Sequence, residues 1–426
     1  MVKIKLISFS LSKGGAAIAA KKFGNLLLNN RYDVDFINQD NAHPLFLLKR
    51  VFSLLLAKMQ FDSNPIKHSV NLFSYKPVVD SFNHSDAIHH LHWVNNDTLS
   101  VFDFSKIPQY SIFTLHDEWL YCGIEHCARI RFDSEMNYID SDLDFINGYK
   151  FFKKGVKGIN WSFYIWKIKK RALSKRKDIF YTVPSLWMLD RAKKSQILKD
   201  ADIRLLPNPI DIDVFKPLSV LERNEFRHKM GFSEDDFLIV FGAIGGNKNP
   251  IKGGKQLEES LNHLKSLISD TDRQRIRLII FGSAEKSSEA FSGFSCSRVG
   301  HITDPKELSA LYSAADCAVI PSLVESFGQV AAEALASETP VVCFETSGLK
   351  DIVINERTGF TVEQFDTCAF AHAIKNMFLL SPEKRKNMGR LGREFVVENF
   401  SYRVVSENYL SLINEVNSKK LNNLVK

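Results

Sequence analysis

Short apolar runs alternate with helix-forming stretches along this chain, and no other feature limits its fold as strongly. KIKLISF, DVDFIN, DAIHHLH, SIFTL, DIFYTV and IRLLPN are too short for helices and rich in β-branched and aromatic residues, so they read as buried strands. Stretches such as AAIAAKKFGNLLLNN lie between several of them. Parallel strands need crossover connections, and helices on both faces of a parallel sheet provide them. The pattern then restarts: DDFLIVFG, RIRLIIFG, DCAVIPS and TPVVCFE are expected strands, with helices over 255–268, 305–315 and 329–337. The join, from Pro207-Asn208-Pro209-Ile210-Asp211 to Phe215-Lys216-Pro217, has the Pro, Asn and Asp content of a linker. At 426 residues the chain exceeds one ordinary domain. The expectation is an α/β chain of two doubly wound, Rossmann-like domains, 1–210 and 218–400, facing each other across a cleft. Such sheets bind ligands beyond the carboxyl ends of their strands. Val404, Tyr409, Leu410, Ile413 and Val416 repeat at a helical period, so 401–426 is expected to be a closing helix that returns to the N-terminal domain.

A net charge of +7 is mild, and its distribution matters more than its sum. Six scattered cysteines do not form a disulfide framework, which points to a reducing cytoplasm. No signal peptide is visible at the N-terminus. The best apolar run, 45–59, is interrupted by Lys49-Arg50 and is too short and too charged to span a bilayer.

The stretch PSLVESFGQVAAE, 321–333, places Glu325 in a loop and Glu333 inside the helix that follows. Gly328 allows close approach to the backbone, and the helix beginning near Gln329 turns free N–H groups toward whatever sits there, a favourable place for phosphate. Carboxylates on either side of bound phosphate suit neutral hydroxyls. A sugar nucleotide offers that arrangement, with a diphosphate between ribose and transferred sugar. The spacing alone fits equally a dipole-stabilising Glu325 and a solvated Glu333.

The pattern P-S-x-x-E-S-F-G-x-x-x-x-E-A-x-A-x-x-x-P-V-V over 321–342 resembles the signature of retaining glycosyltransferases of family 4, which have the GT-B fold. TVPSLWMLDRAKKS, LLPNPIDIDVFKP, VGHITDPKELSALYSAAD and FSYRVVSENYLSLI resemble further segments of that family in the same order, and Gly14-Gly15 with HLHWVN and TLHDEW resemble its bacterial surface-polysaccharide branch of O-antigen, capsule and colanic-acid type. The resemblance implies that Glu325 holds donor-sugar hydroxyls and Glu333 the ribose. Phe327, Gly328, Gln329 and Val330 would offer backbone N–H groups, Lys252 would neutralise the diphosphate, and Gly15 would approach it from the other domain. His116 would stand near the reacting carbon. Where the family commonly has an arginine, this chain has Asn247 with Lys248 beside it, so either Lys248 substitutes or neutralisation rests on Lys252 and backbone. The implied chemistry is hexosyl transfer from a nucleoside diphosphate sugar to a glycan hydroxyl with retention, by front-face attack without a covalent adduct.

His116, Asp117, His92, Trp93 and Trp119 are the acceptor-side candidates, because histidines at strand carboxyl ends are well placed for ligands. His92 shares a strand face with His90, and the two tryptophans read as packing or as acceptor-sugar walls. Cys122, His126 and Cys127 fall short of the about four ligands of a zinc site, and Asp211-Ile212-Asp213 lies in the linker motif. No metal and no cofactor are expected beyond the donor substrate. Residues 151–177 contain ten Lys or Arg, six aromatics and no acid. That composition fits an anionic inner-membrane surface, joined by an apolar helix face at 45–59, and equally fits aromatics packed inward beneath solvated lysines. No nucleic-acid motif accompanies it. Rival readings are a sugar-nucleotide epimerase or hydrolase of the same fold, and a sugar-nucleotide-binding partner with weak catalysis.

Overall fold

In a computed structural model of the chain, residues 2–424 are described except 63, 65, 85, 129, 133–137, 141–142, 243–248 and 283–285. The chain divides into two compact units, Met1–Pro209 with Val405–Lys426, and Ile210–Val404.

The first unit is built on six parallel strands: β1 (Lys3–Ile7), β2 (Asp33–Ile37), β3 (Ile88–Leu91), β4 (Ser111–Thr114), β5 (Ile179–Val183) and β6 (Asp202–Leu205). Their order is β6-β5-β4-β3-β1-β2. Strands β3, β4 and β5 are buried along their whole length, which is why they read as runs rather than alternations. The order reverses between β1 and β3, the kind of switch point where doubly wound sheets open a crevice. Helix α1 (Gly15–Asn29) buries Ala17, Ala20, Phe23 and Leu27, a stripe at the helical period. Helix α2 (Pro44–Ala57) buries only Ser53 and Ala57. Helix α3 (Trp161–Leu173) turns Ile165, Trp166, Lys169 and Leu173 inward, and α4 (Leu186–Lys194) starts at Ser185, whose hydroxyl accepts the Met188 N–H. The tail helix, Tyr402–Leu424, closes the unit through Val405, Tyr409, Leu412, Ile413 and Val416, so the inward stripe takes Val405 and Leu412 in place of the expected Val404 and Leu410. Glu415 takes a two-pronged bond from Arg204 at 2.6 and 2.9 Å.

The second unit has β7 (Phe237–Gly242), β8 (Ile276–Phe281), β9 (Lys286–Ser288), β10 (Ser295–Gly300), β11 (Cys317–Ile320), β12 (Val341–Phe344) and β13 (Gly359–Val362), ordered β9-β10-β8-β7-β11-β12-β13. All pairs are parallel except β9 with β10. The order reverses at β7, so the switch point lies between β7 and β11. Around it stand α5 (Gly254–Leu267), α6 (Pro305–Ala314), α7 (Gln329–Ala336) and α8 (Pro382–Phe400). The stretch 210–217 belongs to this unit: Ile210 and Phe215 are buried in its core, and the Ile210 N–H donates to the Phe400 carbonyl at 2.8 Å. Among the described residues no helix is long and apolar enough to cross a membrane.

Candidate functional site

In the second unit, β11 ends at Ile320 and the chain runs through 321–328 into α7. This loop is held by backbone. Gly328 has φ +110°, and a Cβ there would stand 2.9 Å from a Leu349 methyl and 3.0 Å from one of Ile352. The Glu325 N–H donates to Ser347 Oγ at 2.7 Å, and the Gly348 N–H donates to the Glu325 carbonyl at 2.9 Å. A Cβ on Gly348 would meet the carbonyl oxygens of Glu325, Ser326 and Phe327 at 2.6 to 2.9 Å. Thr346 Oγ1 and Gln364 Nε2 both donate to the Leu323 carbonyl.

Helix α7 then starts without a side-chain cap. Its first internal bond runs from the Ala332 N–H to the Gly328 carbonyl, leaving the N–H groups of Gln329, Val330 and Ala331 without a helical acceptor. Helix α5 repeats the arrangement: Gly253, at φ +71°, precedes it and no side chain caps it. The loop that leads to α7 is locked against the residues before α5, since the Leu323 N–H donates to the Ile251 carbonyl at 2.8 Å and a Cβ on Gly253 would fall 1.8 Å from the Pro321 oxygen. Each uncapped helix start favours an anion beside it.

Side chains complete this locus. Lys252 Nζ lies 2.6 Å from Glu325 Oε1, with both side chains mostly buried. Gln329 Nε2 donates to Glu333 Oε1 at 2.6 Å, and Glu333 is buried on α7. Phe327 is also buried, packing edge-on to Phe400 at 5.3 Å, so its ring serves the core and leaves its backbone for a ligand. The structure thus brings Lys252, Glu325, Phe327, Gly328, Gln329, Val330 and Glu333 together. Asn247 and Lys248 lie outside the described residues. Gly15 opens α1 in the first unit, behind the uncapped Gly14 at φ +93°, and a Cβ on Gly15 would meet nothing within 4 Å.

In the first unit, β3 and β4 end in a polar network. His90 bonds Thr114 Oγ1 at 2.7 Å and the Tyr409 hydroxyl at 2.5 Å. His92 Nδ1 and His116 Nε2 are 2.9 Å apart. Burial pulls His116 down to about 4, with the Asp117 charge only partly opposing it, and pulls His92 well below its usual value. Burial acts against the Asp117 charge as well, but His126, Trp93 and the Trp119 N–H together hold that carboxyl below its usual range. Trp93 Nε1 and His126 Nδ1 each donate to Asp117 Oδ2 at 2.6 Å. Trp119 is a core residue, 1% exposed, with its indole N–H on the Ser69 carbonyl. It cannot form the wall of an acceptor site. Ser69 and His126 carry no sequence signal for this role: Ser69 Oγ lies 2.8 Å from His126 Nε2, joining two segments whose separation gives no motif. His126 is committed to these partners, and Cys122 and Cys127 are buried free thiols. No metal-ligating group occurs among the described residues.

The buried histidines set a pH dependence. Burial lowers His89 to about 4 and His90 to about 3, alongside His116 at about 4. A base whose folded value lies below its unfolded one, about 6.5, takes up fewer protons folded than unfolded. Its neutral form therefore contributes full stability above about pH 6.5, lost as pH falls toward about 4. The melting temperature should drop steeply between about pH 6.5 and about pH 4.5. A flat profile over that window would contradict the burial of these rings.

Residues 222–395, which lie within the second unit, match the family model for glycosyl transferases group 1. Over those residues the second unit is similar to glycosyl transferases group 1. Among curated proteins, the chain is 28% identical over 272 residues to the capsular polysaccharide biosynthesis glycosyltransferase CapM of Staphylococcus aureus, covering 61% of this chain and 67% of that one. The chain spans about half the length of other curated relatives it matches. Among solved structures, sucrose-phosphate synthase from Thermosynechococcus elongatus aligns over 98% of this chain and 100% of its own, with TM-score 0.65 and 19% identity. Anabaena Alr3699/HepE, solved with UDP-glucose, aligns over 97% of this chain and 100% of its own, with TM-score 0.59 and 14% identity. The fold is GT-B, as the sequence pattern implied.

Proposed function

We propose that this protein transfers a hexosyl group from a nucleoside diphosphate sugar to a glycan hydroxyl, with retention at the anomeric carbon. The observation that carries this reading is the uncapped start of α7, with Glu333 buried on that helix and Glu325, in the loop before it, paired to Lys252 just ahead of the uncapped α5. The diphosphate occupies the helix starts. Glu333 accepts from ribose hydroxyls and Glu325 from the donor sugar. Negative charge develops on the leaving diphosphate, where this reading sets Lys252 and the backbone N–H groups of 329–331, and it assigns no metal to that task. His116, in the first unit, is held in its neutral form by burial. The leaving phosphate assists deprotonation of the acceptor, and no side chain forms a covalent adduct.

The acceptor in this reading is a lipid-linked glycan, and the protein works in the cytoplasm, peripherally on the inner membrane face, in surface-polysaccharide synthesis of O-antigen or capsule type. The name of CapM supports the capsule-type reading, and those of other relatives support glycosyl transfer alone. Asn247 in place of an arginine motivates one rival, a chain that binds the donor and turns it over poorly.

Turnover of UDP-, GDP- and ADP-sugars should be measured with and without lipid-linked glycan, and the anomeric configuration of the product read by NMR. Acceptor-dependent release of nucleoside diphosphate with retained configuration is expected. Release that ignores the acceptor would make the protein a hydrolase, and an inverted product would refute retention.

A further inference from the structure

Helix α2 is apolar on more sides than its packing requires. Its inward edge is Ser53 and Ala57, while Leu45, Leu48, Phe52 and Leu55, clustered on the opposite face, are each more than half exposed. A helix apolar all round belongs in a core or against lipid, and an exposed apolar patch of this kind marks an interaction surface.

A second segment extends the face. The two-residue strands Gln60–Phe61 and Lys157–Gly158 pair antiparallel, pinning the end of α2 to the basic stretch before α3. The Ile159 N–H donates to the Met59 carbonyl at 3.1 Å, and the Trp161 indole N–H donates to the Leu56 carbonyl at 2.7 Å. The basic stretch is sorted by this packing. Trp166 and Lys169 turn into the core, while Phe61, Phe151, Phe152 and Tyr164 stay exposed beside α2, Phe152 at 87%. Lys49, Lys58, Lys154, Lys157 and Lys167 lie on the same segments and are exposed. Neither 44–61 nor 151–177 contains an acid.

We propose that this continuous face, α2 with the paired strands and the 151–167 segment, seats the first unit on an anionic lipid surface. Apolar side chains enter the headgroup boundary, and the lysines meet lipid phosphates. Charge favours lipid over a second copy of this chain, because a two-fold contact sets the same patch against itself and brings the lysines together without acids to answer them. The inference deepens the lipid-linked half of the proposed function and rests on that reading for its biological sense, but its test stands on the surface alone.

The test floats the full chain with vesicles of phosphatidylcholine alone and with added phosphatidylglycerol. The unmodified protein should float with the anionic vesicles and detach in high salt. Leu48→Glu with Phe52→Glu should reduce the bound fraction at least about tenfold, and Lys154→Glu with Lys157→Glu should do so on anionic vesicles. Because these side chains are exposed, melting temperatures should hold. Should a variant fold poorly, hydrogen exchange of 44–61 in the unmodified chain decides, with protection expected only when anionic vesicles are present. Absence of flotation, unchanged binding of the variants, or vesicle-independent protection of 44–61 with dimer formation overturns the proposal. Nucleotide-induced stabilisation in the same variants separates outcomes: if it persists while flotation fails, the surface is wrong and the donor site stands.

Discussion

Lys252→Ala should lower kcat/KM for the donor by about 10²–10³, with most of the loss in kcat. Lys252 directly precedes Gly253 at the start of α5, and its ammonium lies 2.6 Å from Glu325. The substitution removes positive charge where the departing diphosphate gains negative charge, so the transition state suffers more than the bound substrate. It also leaves the Glu325 carboxylate unanswered beside the diphosphate, which adds repulsion. Glu325→Gln should therefore soften the Lys252→Ala defect, and the double variant should fall short of the sum of the single effects, because the two groups touch. Steady-state kinetics of the four proteins measures this. A Lys252→Ala loss below about tenfold would move diphosphate neutralisation away from this residue.

The second large effect is structural. Gly253→Val should cost about 2–4 kcal/mol. Its Cβ would sit 1.8 Å from the Pro321 oxygen, and φ +71° strains any β-branched residue. The melting temperature should fall by about 5–10 °C, and stabilisation by nucleotide should vanish, because the valine pushes the loop before α7 away from the start of α5. Gly15→Ala is the contrast. Nothing lies within 4 Å of its Cβ and its φ is ordinary, so stability should stay within about 0.5 kcal/mol. Similar melting losses in both variants would contradict the junction described here.

The central strands of both sheets were legible because β5 and β7 are mostly apolar runs, and β3 and β4, though they bury His89, His90, Ser111 and Thr114, are short, without helical periodicity and buried along their length. Strand β10 was not legible. SCSRVG is half-exposed and gains its partners from β8 and the short β9, a tertiary effect that no local pattern announces. The Glu325–Glu333 stretch drew attention through its glycine and its spacing, but the uncapped start of α5 beside it depends on Gly253 meeting Pro321, sixty-odd residues away in sequence. The Ser69–His126–Asp117 set was hidden for the same reason. The 151–177 run was half readable: composition indicated basic charge and aromatics, whereas only packing on Trp119 and Gly123 shows that Lys169 is interior, donating to both carbonyls.

The most direct test of the central claim is a thermal-shift panel of UDP, GDP, ADP and CMP against the unmodified chain and Glu333→Ala. A ligand that binds the folded state raises its melting temperature. Stabilisation by one nucleoside diphosphate, lost in Glu333→Ala while the variant stays folded, is the predicted result. No stabilisation by any of the four, or equal stabilisation of both proteins, would contradict a donor site at the start of α7.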